Sequence, residues 1–233
     1  MSKSPLFLTR FSLWPATLAV AFGLVSASSV SATHKSRAHH LFPRYHVYLF
    51  RGLVPMMSSG MVDMATALQK LGISASVHNQ SDWHQVADKI VAGYRRGNVQ
   101  NIIVVGYSAG AAAATNMAAR LGDRGVPVKL AITLDPVWSI SAPGHVDRYV
   151  NYYSSFGGRS VKRSRQFRGS LQNVDMRGVH GLWHLNFDNN KVVQRNVIRD
   201  IRAVIYGNHR AASPATILVS GLGVSGLGRD PAP

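Results

Sequence analysis

Between Tyr45 and Leu134 the chain carries four short apolar runs separated by three segments of helical periodicity, and that alternation limits what it can fold into. Tyr45–Phe50, Ile73–His78, Asn101–Gly106 and Val128–Leu134 read as strands. Ser59–Leu71, Asp82–Tyr94 and Ala109–Leu121 read as helices, with Ser81 placed to cap the second. A strand that is apolar along its whole length has both faces covered, so the pattern predicts an α/β fold with a mostly parallel sheet flanked by helices. Beyond Asp135 the periodicity weakens, with further strands read at Arg148–Tyr153 and Leu171–Met176 and a last helix at Lys191–Tyr206.

The sharpest local signal is Gly106-Tyr107-Ser108-Ala109-Gly110, set between the β-branched run ending at Val105 and the alanines that start at Ala111. A chain that turns abruptly from strand into helix holds the serine in a strained conformation, and glycines two residues to either side remove Cβ atoms that would collide there. This context marks Ser108 as a nucleophile. A serine hydroxyl needs a base within hydrogen-bond reach and an acid to orient that base, here expected in the order serine, acid, histidine.

Asp135 closes the strand Val128–Leu134, at the sheet edge where Ser108 also emerges, and is the preferred acid, with Asp175 and Asp147 as competitors. For the base, His184 and His180 lie in the loop entering the last helix and His184 is favoured, whereas His145 sits close behind the acid and His209 in the tail. Backbone N–H groups complete such a site: Ala109, next to the nucleophile, and one from the loop after the first strand, Gly52 or Leu53, with Leu53 assigned.

From Tyr45 to about Tyr206 the chain resembles the small, signal-bearing α/β-hydrolases of bacteria, lipase-like or thioesterase-domain hydrolases. The matching residues are Phe50-Arg-Gly52 with Ser59-Gly60-Met61, the stretch Gly106 to Gly110, Thr133-Leu-Asp-Pro136, Asn173-Val-Asp175 and His184-Leu-Asn-Phe-Asp188. The resemblance implies Ser108, Asp135 and His184 as the catalytic set. Two features depart from it: the acid comes one strand earlier than in most such proteins, and Tyr107 stands where histidine is frequent.

With 26 Lys and Arg against 10 acids, all of them Asp, the formal charge of +16 favours anionic surfaces, a membrane surface among them. The densest basic run, Arg159, Lys162, Arg163, Arg165 and Arg168, lacks the interleaved aromatics of a single-strand binder and reads as a solvated loop, which argues against nucleic acid as a partner. The absence of cysteine excludes disulfides and thiolate chemistry.

Lys3 and Arg10, the apolar stretch Phe11–Val25 and the small residues Ser26–Ala32 follow the layout of a secretory signal peptide. Cleavage is expected after Ala32 and the protein is expected to be periplasmic or secreted, the alternative being an uncleaved membrane anchor. Residues 33–44 read as a flexible basic lead-in, 45–207 as one domain without room for a large lid, and 208–233 as a disordered tail rich in Gly, Pro and Ser. His34, His39 and His40 lack fixed helical spacing, so no metal site is read there, and no cofactor is expected.

The function expected is hydrolysis of a small-molecule carboxylic ester or thioester through an acyl-serine intermediate. The competing reading is a catalytically idle protein of the same fold, binding at the cell envelope.

Overall fold

In a computed structural model, which describes residues 45–54, 58–154 and 159–210, six strands pair side by side and every strand runs parallel to its neighbours. The expected signal peptide (1–32), the lead-in (33–44) and residues 211–233 of the expected tail lie outside the described residues.

In chain order the elements are β1 (Tyr45–Phe50), α1 (Ser59–Lys70), β2 (Ser74–His78), α2 (Trp83–Arg95), β3 (Asn101–Tyr107), α3 (Ala109–Asp123) and β4 (Val128–Leu134). They are followed by β5 (Ser141–Ala142), β6 (Val146–Tyr153), β7 (Lys162–Arg163), β8 (Ser170–Asp175) and α4 (Lys191–Arg210). The sheet order is β2-β1-β3-β4-β6-β8, with β5 and β7 forming a separate two-stranded ladder.

The expected fold class holds in its particulars: a parallel sheet, helices on both faces, and no lid-sized insertion among the described residues. Strands β3 and β4 show why their sequences are unbroken apolar runs. Ile103, Val105, Ile132 and Leu134 face a core shared with α1 and α4, while Ile102, Val104 and Ala131 face a second core shared with α2 and α3. Helix α3 is rich in alanine on its buried face (Ala111, Ala113, Ala114, Ala118), which lets its axis approach the sheet closely.

Several boundaries shift from the sequence reading. Ser81 does not cap α2; it lies in a 3-10 turn, Gln80–Asp82, and its hydroxyl bonds Asp82 instead, so the helix begins at Trp83 without a side-chain cap. Helix α4 runs on to Arg210, three residues past the expected domain end, because Gly207 and Asn208 do not stop it. The basic run is not wholly loop. Lys162 and Arg163 form β7 and pair with Ser141 and Ala142, and Phe167 inserts into the core with the Arg163 guanidinium over its ring.

The strand order fixes where a site can form. From β1 the chain steps to β2 on one side and then crosses to β3 on the other, so the connections leaving β1 and β3 diverge and open a crevice at the carboxyl edge. The loops after β1, β3 and β4 meet there.

Candidate active site

Three strand ends solve the same problem in the same way. Each strand's next residue donates its N–H to a carbonyl in the last two residues of the neighbouring strand and only then turns away: Arg51 to His78 at 3.0 Å, Ser108 to Leu134 at 2.8 Å, Asp135 to Tyr152 at 2.8 Å. Ser108 and Asp135 then turn with φ of 54° and 46°, left-handed values that side-chain-bearing residues seldom adopt.

The turn at Ser108 is possible only because its flanking glycines have no side chain. A Cβ on Gly106 would stand 2.1 Å from the Gly110 carbonyl oxygen, and one on Gly110 would stand 2.3 Å from that of Phe50. Helix α3 therefore starts in contact with the backbone leaving β1, and Ser108 is presented half-buried at the crevice.

His184 opens a 3-10 turn, His184–Asn186, that precedes α4. The Asn186 side chain ties that loop together, accepting from the Trp183 N–H at 3.0 Å and donating to the Gly181 carbonyl at 2.9 Å. Nε2 of His184 lies 3.0 Å from Ser108 Oγ, and its Nδ1 lies 2.7 Å from Asp135 Oδ2. Asp135 is wholly buried, and its carboxylate also accepts from the Ser154 N–H at 2.7 Å and from the Ser154 hydroxyl at 3.1 Å. With Nδ1–H donated to the carboxylate, Nε2 is left as the acceptor for the serine proton.

The competing residues are engaged elsewhere. Asp175 pairs with Arg177 on the surface and Asp147 with Lys129 at 2.9 Å. His145 precedes β6, at the opposite edge of the sheet, where its side chain packs against Gly122. His180 makes no bond to Ser108, and His209 lies in the last turn of α4, its side chain outside the described residues.

Ala109 is the first residue of α3, where helix N–H groups have no intrahelical partner. Of the two candidates after β1, the Gly52 N–H is taken by Ser58 Oγ at 3.2 Å, whereas no hydrogen bond occupies the Leu53 N–H among the described residues. A Cβ built on Gly52 would lie 3.4 Å from that of Ser108, so this loop borders the serine directly.

Four residues of the surroundings were given no role in the sequence reading. The Tyr107 hydroxyl donates to the His184 carbonyl at 2.6 Å, and burial, with Asp188 and Asp135 nearby, pushes its pKa upward. Ser154 holds the acid and Ser58 holds the β1 loop. Asp188 is wholly buried beside the start of α1, where a Cβ on Gly60 would collide with its carbonyl oxygen at 2.1 Å. Neither of its carboxylate oxygens has a hydrogen-bond partner of good geometry. Burial raises its pKa to about 6, and the N–H groups of Met61, Asn189 and Gly60 offset that only in part. Ser154 and Ser58 have no sequence signal, since their partners lie across strand and loop; Tyr107 and Asp188 stood inside motifs already singled out.

Fold and site together define a protein of α/β-hydrolase architecture with a serine, a histidine and an aspartate in hydrogen-bonded line at the sheet's carboxyl edge. No protein-family profile matches the chain, and no curated protein matches it. Among solved structures it is similar to the RedJ thioesterase of the prodiginine biosynthetic pathway of Streptomyces coelicolor, at 11% identity and a TM-score of 0.44, over 77% of this chain and 97% of that one. It is similar to Est1E from Butyrivibrio proteoclasticus at 12% identity and a TM-score of 0.44, over 70% and 91% of the two chains. It is also similar to the surfactin thioesterase domain SrfTE, at 14% and 0.45, over 69% and 90%.

Proposed function

We propose that the protein is a serine hydrolase that cleaves carboxylic ester or thioester bonds through an acyl-serine intermediate. The observation that carries this reading is the continuous line from Ser108 Oγ through the His184 ring to the buried Asp135 carboxylate, with contacts of 3.0 and 2.7 Å. As Oγ attacks the carbonyl carbon, its proton passes to Nε2, and the imidazolium so formed is stabilised by Asp135. Negative charge gathers on the former carbonyl oxygen, for which the N–H groups of Ala109 and Leu53, neither occupied by a hydrogen bond among the described residues, are the available donors. Collapse of that intermediate expels the alcohol or thiol, which takes the proton from Nε2, and leaves Ser108 acylated. A water then repeats the sequence, giving its proton to Nε2 and releasing the acid and the free serine.

Asp135 is well suited to its part. Its Ser154 bonds keep it an acceptor aimed at Nδ1, which fixes the imidazole tautomer that leaves Nε2 free. The competing reading, an idle scaffold, gains nothing from a strained serine at φ 54° held against an imidazole. A fluorophosphonate probe tests the proposal: labelling at Ser108 that is lost in Ser108→Ala is the expected result. Folded protein that neither labels nor turns over para-nitrophenyl esters or acyl thioesters would end it.

A further inference from the structure

Large apolar side chains left in water are scattered singly on most surfaces, and a group of them around one feature needs an explanation. Five of the eight exposed large hydrophobics among the described residues belong to three loops at the carboxyl edge: Leu53, Val54, Trp138, Trp183 and Leu185. Leu53 and Val54 follow Gly52, which borders Ser108. Trp183 and Leu185 flank His184, and Trp138 lies three residues beyond Asp135. Among the described residues, the apolar group thus sits on the loops that carry or border the reacting side chains. Both acids of these loops, Asp135 and Asp188, are wholly buried, so the loops show no exposed carboxylate to an approaching substrate.

We infer that this rim is an acyl-binding surface, and that the substrate carries an extended, apolar acyl chain laid across it. The inference rests on the acyl-serine reading above, because the rim identifies its occupant only through the nucleophile beside which its loops lie. Trp138 and Trp183 are each 51% exposed, too open to enclose a chain as a tunnel would. Each methylene covered by the rim is lifted out of water, so selectivity grows with chain length until the chain outruns the rim. A charged or strongly polar acyl group would gain nothing there.

The test is a series of para-nitrophenyl esters from acetate to decanoate, held below their critical micelle concentrations and assayed with the full chain. The expected result is a rise in kcat/KM of about two- to fourfold per added methylene, ending in a plateau. Trp138→Ser should keep acetate hydrolysis within about twofold while flattening that rise, and Val54→Ser, at a second position, should act in the same direction. Equal losses on acetate and octanoate in both variants would overturn the inference. So would a rate that ignores chain length below the micellar limit and jumps only above it, which would assign the rim to a lipid surface. Hydrolysis without chain-length preference removes the acyl rim and leaves the hydrolase reading standing; no hydrolysis together with no fluorophosphonate labelling removes both.

Discussion

The Tyr107 hydroxyl donates to the backbone carbonyl of His184 across 2.6 Å, so the residue just before the serine holds the loop that carries the imidazole. Burial raises the pKa of that phenol, which keeps it a donor well into alkaline solution. Tyr107→Phe should leave KM nearly unchanged and lower kcat by about 10- to 100-fold, the scale expected when a reacting group is displaced by a fraction of an ångström to an ångström. Steady-state kinetics on one ester decides it; a change confined to KM would show that Tyr107 does not position the base.

Ser108, His184 and Asp135 act as a unit in the proposed reaction, so their losses should not add. Ser108→Ala and His184→Ala are each expected to reduce kcat by about 10⁵-fold or more, and Asp135→Asn by about 10⁴-fold. The double variant Ser108→Ala/His184→Ala should be no worse than either single one. Additive losses in single-turnover assays would contradict the line of contacts.

Gly110→Ala tests the packing that presents the serine. The added methyl would meet the Phe50 and Arg51 carbonyl oxygens at 2.3 and 2.5 Å, and backbone cannot swing away as a side chain can. A loss of about 3 kcal/mol or more in denaturant unfolding is expected, with activity falling further than stability because the bend itself is distorted. Wild-type stability in this variant would show that the elbow tolerates a gap between α3 and β1.

Asp188 should give the protein an unusual pH dependence. Its carboxyl pKa is raised from 3.8 to about 6 in the folded state, so between those values the unfolded chain has lost a proton that the folded chain retains. Stability from this group therefore falls as pH rises from about 4 to 6 and stays lower above, by an amount on the order of 3 kcal/mol. Asp188→Asn should remove that slope and unfold at higher denaturant than the native protein at pH 8. Parallel urea titrations across the range provide the check, and an unchanged slope would assign it to other groups.

His46 and His78 work in the opposite sense. Both ring Nε2 atoms lie 2.8 Å from Ser76 Oγ, and burial lowers both pKa values below 6.5. The unfolded chain takes up protons first as pH falls through 6.5, so these residues withdraw stability on the acid side. The double variant His46→Gln/His78→Gln should flatten that decline in thermal unfolding between pH 7 and 5. A decline of the same size in the variant would show that neither ring carries it.

The chain's local chemistry was sufficient for most of the architecture. β-Branched runs such as Ile102–Val105 can be satisfied only by cover on both faces, and an alanine-rich helix directly after a glycine-bracketed serine has few alternatives to the strand-turn-helix bend. Asp135 was legible for a similar reason, since the end of a parallel strand places a side chain at the same edge as its neighbour's. The basic run at 159–168 departs in part from the solvated loop its composition suggests, because Phe167 draws it onto the core and no periodicity announces a two-residue strand.

What the sequence determined, then, was which residues stand at the carboxyl edge, because strand periodicity and turn chemistry act over a few neighbouring positions. Only the tertiary structure brings His184 rather than His180 against Ser108, sets Ser154 on Asp135 and Tyr107 on the His184 carbonyl, and engages the Gly52 N–H while that of Leu53 has no hydrogen bond among the described residues. Those outcomes depend on contacts between residues as many as 77 positions apart, whose distances are set by how β3, β4, β6 and the loop before α4 pack together, and no local pattern encodes them.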